Sequence, residues 1–239
     1  MIRFVHIAAL ISMLSCAVQS KPEGGPKDEM PPEIITQQPV AGELNYTEGE
    51  AWVTFDEYIQ GNSLRGNIIS SPPLENIEFE VRGKKLTLNW NAKQHIKETT
   101  YRISLGDQIG DLNENNKVQN LEFVWSTGSS IDSMQINGHI NLKGEGALDD
   151  LTIWLLPTRS DSIHNPIFSA APNRDGNFKL KYLPIDTFDI LVFQDLNFDK
   201  IWDNNNEDFG FLKRVSTEVD SQLVEVNYST EKFVIPDLD

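Results

Sequence analysis

Cysteine, histidine, positive charge and long apolar runs are all scarce in this chain of 239 residues. The single cysteine, Cys16, excludes an intramolecular disulfide and any cysteine-built zinc or iron–sulfur centre. The four histidines, His6, His95, His139 and His164, lie too far apart in sequence to form a metal-ligand pair by local spacing. Lysine and arginine number 20 against 36 aspartates and glutamates, giving a net charge of −16. A field of that sign repels phosphates, so no nucleic-acid partner is expected, and it keeps the chain soluble. A serine nucleophile elbow, a phosphate-binding loop and a helical zinc motif are all missing. With 36 carboxylates, some pair always falls at glycosidase separation, and sequence selects none of them. No long segment shows a 3.6-residue apolar period, which argues against helices.

What is present begins at the N-terminus. Residues 1–15 read MIRFVHIAALISMLS, with Arg3 ahead of an apolar stretch from Phe4 to Leu14. A membrane span needs roughly 20 apolar residues, so this stretch is too short for one and fits a cleaved secretory signal peptide. Met13-Leu14-Ser15-Cys16 resembles a bacterial lipobox, in which the cysteine is acylated after cleavage. Met13 departs from the leucine usual three residues before that cysteine. Cys16 is therefore the expected lipidation site. Residues 16–32, with Lys21-Pro22-Glu23-Gly24-Gly25-Pro26 and Pro31-Pro32, read as a flexible tether that continues neither helix nor strand.

From Glu33 onward, short β-branched or alternating apolar runs recur between Gly, Pro, Asn and Asp. In the first half these are Ile34–Gln37, Ala51–Phe55, Asn67–Ser70, Ile77–Val81, Lys85–Trp90, Thr100–Leu105 and Leu121–Ser126, with Arg82-Gly83-Lys84 marking a hairpin. Such a set of short strands predicts an Ig-like sandwich over residues 33–128. After the polar break Thr127–Ser130, a second set predicts another sandwich over 131–239: Met134–Leu142, Leu151–Leu156, Pro166–Ala170, Phe178–Tyr182, Phe188–Gln194, Leu223–Asn227 and Lys232–Ile235. The fold class expected is all-β, two sandwiches that fold separately. Trp52, Trp90, Trp125 and Trp154 fall inside predicted strands and are expected to pack in cores.

Several segments together resemble lipoproteins of the Bacteroidota that carry a bacterial Ig-like domain of the surface-layer-protein type. They are GGPKDEMPPEIITQQPVAG at 24–42, VTFDEYI at 53–59, SSPPL at 70–74, TTYRISLGDQIGDLNENN at 99–116 and VWSTG at 124–128. DGNFKLKYLP at 175–184 and LVFQDLNFDKIWDNNNEDFGFL at 191–212 resemble the C-terminal domain of the same family, a prealbumin-like or carboxypeptidase-regulatory-like sandwich. The resemblance implies an outer-membrane lipoprotein of the cell envelope and no catalytic activity. The residues after Cys16 are Ala17-Val18-Gln19-Ser20-Lys21, without the acids that often follow the cysteine in surface-exposed members, which favours the periplasmic face.

One loop carries chemistry of its own. In Asp195-Leu196-Asn197-Phe198-Asp199-Lys200-Ile201-Trp202-Asp203-Asn204-Asn205-Asn206-Glu207-Asp208, oxygen side chains fall at alternate positions, as in the first half of an EF-hand loop. Asp195, Asn197 and Asp199, the Ile201 carbonyl, Asp203 and Glu207 are the expected calcium ligands. Lys200 stands where the EF-hand turn needs glycine, and Glu207 falls one residue late. The other acidic loop ends, Asp56-Glu57 and Asp107, Asp111 and Glu114, are expected to cap turns in solvent. The function expected is a non-catalytic binding or scaffolding module, with an envelope protein or glycan as partner and the membrane reached through the lipid. The alternative is a carbohydrate-binding accessory protein with Trp202, flanked by acids and asparagines, as the glycan-stacking residue. A glycosidase-type enzyme comes last.

Overall fold

The computed structural model describes residues 25, 27–61, 64, 66–143, 148, 151–158, 167–196, 202–203, 207–218 and 223–229. The protein is all-β. Its strands are β1 (Ile34–Gln38), β2 (Glu50–Phe55), β3 (Ile59–Gln60), β4 (Ile69–Ser71), β5 (Glu78–Arg82), β6 (Lys85–Asn89), β7 (Thr100–Gly106), β8 (Gly110–Asp111) and β9 (Leu121–Ser126) in the first half. The second half holds β10 (Met134–Lys143), β11 (Leu151–Pro157), β12 (Phe168–Ala170), β13 (Asn177–Leu183), β14 (Thr187–Gln194), β15 (Phe209–Ser216) and β16 (Leu223–Ser229). One turn of 3-10 helix, Ala92–Gln94, is capped by the Asn91 side chain, which accepts from the Lys93 N–H. The expected strand Lys232–Ile235 lies outside the described residues.

The first sandwich packs sheet β1-β2-β6-β5 on sheet β4-β7-β9, with the short pair β3-β8 beside them. Side chains alternate across a strand, so Ala51, Val53 and Phe55 of β2 and Leu86 and Leu88 of β6 face inward. They meet Tyr101, Ile103 and Leu105 of β7 and Leu121, Phe123 and Trp125 of β9 in one core. Each Val, Leu, Ile or Phe among them, fully buried, contributes about 1.5–3 kcal/mol. Gly83 turns the β5–β6 hairpin with φ +63, a conformation that L side chains adopt only with strain. The same alternation corrects one expectation. Trp90 and Trp125 are buried, but Trp52 sits between Ala51 and Val53 and faces away from the core, partly exposed.

The second sandwich packs sheet β13-β10-β16 on sheet β12-β11-β14-β15. Its core joins Ile136 and Ile140 of β10 and Val224, Val226 and Tyr228 of β16 to Ile153, Leu155, Ile190 and Val192 of the other sheet. Strand β10 is central, antiparallel to β13 and parallel to β16. Strands β11 and β14 are apolar on both faces, and their outer face needs a cover. Trp154, Leu156, Leu191 and Phe193 form a second small core there, with Phe209 and Phe211 packed against it.

Candidate functional sites

Trp202, from the segment after β14, belongs to that outer core. Trp202 is only 2% exposed and belongs to the cluster of Trp154, Leu156, Leu191 and Phe193, with its ring edge-on to Phe209 at 5.2 Å. The expectation of a glycan-stacking Trp202 is therefore corrected. Sheet side chains cover the indole, and no ring face is left for a sugar.

Of the expected calcium ligands, Asn197, Asp199 and Ile201 lie outside the described residues. Asp195, at the end of β14, is fully buried, and Glu207 is buried just before β15. Glu207 ties the loop together: Oε1 accepts from the Leu196 N–H at 3.0 Å and Oε2 from the Asp203 N–H at 2.9 Å. Its own N–H donates to the Asp203 carbonyl at 2.9 Å. Among the described residues, no group of three or more His, Cys, Asp or Glu side chains is placed to hold a metal ion.

The acidic loop of the first sandwich is organised by one carboxylate. Asp111 is 1% exposed, and its Oδ1 accepts from the N–H groups of Asn113, Glu114 and Asn115 while Oδ2 accepts from that of Asn116. Burial opposes ionisation, but these donors outweigh it and hold the carboxyl below its ordinary range. Asn116 then donates from Nδ2 to the carbonyls of Asp28 and Met30, pinning the incoming chain to this end of the sandwich. Asp107 likewise caps the Asn120 N–H, and Asp56 caps that of Glu33. Glu57 titrates above its usual range through desolvation and then through the nearby charges of Asp111, Asp56, Asp28 and Glu114.

Near the other end, an aromatic group surrounds His95. The Trp90 indole N–H donates to His95 Nε2 at 2.9 Å, and the imidazole lies 5.0 Å from the Tyr101 ring and 6.1 Å from Trp125. Tyr101 and Trp125 stack at 5.4 Å. Burial pushes the His95 pKa down, so the ring is held neutral and accepts at Nε2.

The two sandwiches meet along strand edges. Ser169 of β12 donates its N–H to Ser71 Oγ of β4 at 3.2 Å and its hydroxyl to the Ser70 carbonyl at 2.5 Å. All three serines are buried. Beside them Glu122 of β9 is a hub. Arg102 Nε lies 2.6 Å from one carboxylate oxygen, and Lys181 Nζ, across the junction, lies 3.5 Å from the other. The Tyr182 hydroxyl donates to the same oxygen as Lys181, at 3.4 Å. Burial opposes the charge on Glu122, but Arg102 and Lys181 outweigh it and keep its pKa low. Tyr182 makes this contact from a left-handed backbone, φ 60. The connector is fixed as well: Asp132 N–H donates to Thr100 Oγ1 at 2.7 Å, and Gly128 C=O accepts from the Asn45 N–H at 2.9 Å. Nothing in the sequence pointed to this junction, because small and charged polar residues on strand edges read as surface.

Residues 28–127 match the family of the bacterial Ig-like domain, in agreement with the Ig-like reading of the first sandwich. No curated protein sequence matches the chain. Solved structures similar to it include an L,D-transpeptidase from Mycobacterium smegmatis, 10% identical, with 84% of this chain and 91% of that one covered. The TM-score is 0.26, and the likeness carries no argument about function.

Proposed function

We propose that the protein is a non-catalytic scaffolding and binding module of the bacterial cell envelope, anchored through lipidated Cys16 in the outer membrane. The second sandwich is read as prealbumin-like. The observation that carries the proposal is the buried junction between the sandwiches. Domains joined only by a linker move freely. Here serine hydroxyls, a four-residue polar cluster at Glu122 and a clamped connector favour a single rigid body. The chain enters the first sandwich at the Asp28–Met30 end, where Asn116 holds it, and leaves at Ser126, next to Thr99 and Glu43. Because Ile34 of β1 pairs with Phe55 while Gln38 pairs with Trp52, entry and exit lie toward opposite ends of that sheet. A tethered scaffold of this form sets its second sandwich away from the anchoring surface.

Removing the only cysteine makes the test clean. In a Cys16→Ala background, spin labels on Glu80→Cys and Lys179→Cys report the distance between the sandwiches. A single narrow distribution, broadened by Ser169→Ala with Glu122→Ala, is expected. A broad distribution before those changes defeats the scaffold. Fractionation of the same background tests the anchor: Cys16→Ala moves from the membrane pellet to the soluble fraction, and a wild type already soluble refutes lipidation. The proposal includes a calcium ion in the loop of Asp195 and Glu207. Asp195 and Glu207 are both buried at the root of that loop, and calcium takes hard oxygen ligands of this kind.

A further inference from the structure

The outward face of sheet β1-β2-β6-β5 is defined by its register. Trp52 pairs with Thr87 on one side and Gln38 on the other. Along β2 its neighbours on the same face are Glu50 and Thr54, which pair with Asn89 and Lys85. Trp52 is the single apolar side chain among these positions, and it lies in the middle of them. An aromatic ring placed outward among hydroxyl, amide and charged groups adds nothing to the core of Ala51, Val53, Leu86 and Leu88 on the opposite face.

Two observations say what this ring takes. The first is that one face of the half-buried indole is covered by a solvent-borne group. The Lys85 ammonium stands 4.4 Å over the ring centroid, and Lys85 itself is exposed. A ligand that displaces this flexible side chain reaches the aromatic plane, and the ammonium remains near as a donor. The second is charge. The chain carries −16 overall, yet on this face Glu50, Glu78 and Glu80 stand against Lys85 and Arg82, with Arg82 paired to Glu80 at 2.7 Å. The local field is close to balanced, so neither a polycation nor a polyanion is drawn here. The remaining groups, Thr54, Thr87 and Asn89, offer neutral hydrogen bonds, while the Gln38 amide already donates to Glu43 Oε2 at 2.7 Å.

We infer that this face is a platform for a neutral oligosaccharide, with Trp52 stacking against the C–H face of a pyranose and the surrounding hydroxyl and amide groups binding its hydroxyls. A sugar ring is the ligand whose chemistry is divided in the same way, an apolar face with a polar rim. The inference rests on the reading of the chain as a binding module and names its ligand class. It also moves the glycan site from Trp202, which is buried, to a partly exposed residue on the outward face of a sheet.

The test titrates the full chain with cellohexaose, mannohexaose, laminarihexaose and chitohexaose, read by calorimetry and tryptophan fluorescence. At least one of the four binds at millimolar concentration or below, and Trp52→Ala weakens it by about tenfold, the loss of one stacking contact, at an unchanged thermal midpoint. If Trp52→Ala does not fold, Trp52→Phe and Asn89→Ala take its place, and each lowers the affinity. Absence of binding to all four sugars overturns the inference, as does binding that Trp52→Ala or its replacements leave unchanged. Either failure, alongside a narrow distance distribution between the sandwiches, leaves the scaffold standing. A broad distribution alongside Trp52-dependent sugar binding does the reverse.

Discussion

Replacing Trp202 by alanine separates a packing role from a surface one. The indole is 2% exposed and lies among Trp154, Leu156, Leu191 and Phe193, with Phe209 at its edge. Truncating a buried aromatic of this kind costs about 3–5 kcal/mol, because the transfer energy is lost and the neighbours close the gap only in part. The loss falls on the second sandwich, whose sheet β12-β11-β14-β15 has no other aromatic from the loop after β14 among the described residues. For a domain of that size, each 1 kcal/mol shifts the midpoint by roughly 4–8 °C, so Trp202→Ala lowers it well beyond calorimetric error. Trp202→Phe recovers part of the loss. Urea unfolding followed by circular dichroism gives the same quantity as a fall in midpoint concentration. An alanine variant with wild-type stability in both assays would refute the reasoning and return Trp202 to the surface.

Asp111→Ala removes the acceptor of four backbone N–H groups and costs about 1.5–3 kcal/mol, within the range for hydrogen bonds to a charged group. Faster amide exchange at Asn115 and Asn116 accompanies it, since their N–H groups lose their acceptor; unchanged exchange and unchanged urea midpoint count against the capping role. His95 has a folded pKa depressed below its ordinary 6.5. Its contribution to stability is therefore complete above about pH 6.5 and is lost as the pH falls from there toward the folded value, where the unfolded chain binds more protons. His95→Gln, whose amide oxygen still accepts from Trp90, flattens that part of the stability profile, and a profile identical to wild type removes His95 from the account. For the proposed calcium loop, millimolar calcium raises the thermal midpoint over that in EDTA by mass action, and Asp195→Ala with Asp199→Ala abolishes the increment. Equal midpoints in the two buffers dispose of the ion.

Local pattern carried most of the fold. Thr100–Leu105 and Leu121–Ser126 were readable because inward Tyr101, Ile103, Leu105, Phe123 and Trp125 alternate with polar positions or stand in short apolar runs. Strand β15 escaped because Gly210, Lys213 and Arg214 interrupt its apolar residues. The glycine has a long-range cause: a Cβ there would lie 2.4 Å from the Asn227 carbonyl oxygen of β16, a neighbour invisible in local sequence. The two misplaced tryptophans differ in kind. Trp52 was legible, since the period-2 alternation that sends Ala51, Val53 and Phe55 inward sends Trp52 outward. For Trp202, the signal lay elsewhere in the chain, in the apolar run Ile153–Leu156, which implies a strand buried on both faces and therefore something folded over it. The junction at Ser70, Ser71, Ser169 and Glu122 left no local signature, because its meaning exists only when residues 60 to 99 positions apart meet.

The parallel pairing of β16 with β10 governs when the second sandwich can close. Asn137 aligns with Leu223 and Lys143 with Ser229, so the central strand of that sheet waits for a partner made more than eighty residues later. Until β16 docks, Val224, Val226 and Tyr228 are missing from the core, and one edge of β10 stays open. Pairings of such long sequence separation form slowly, since the loop must close before any contact rewards it. The first sandwich, whose last strand ends at Ser126, can thus close while the second still lacks β16, and the second core is completed only once residues 223–229 have been made.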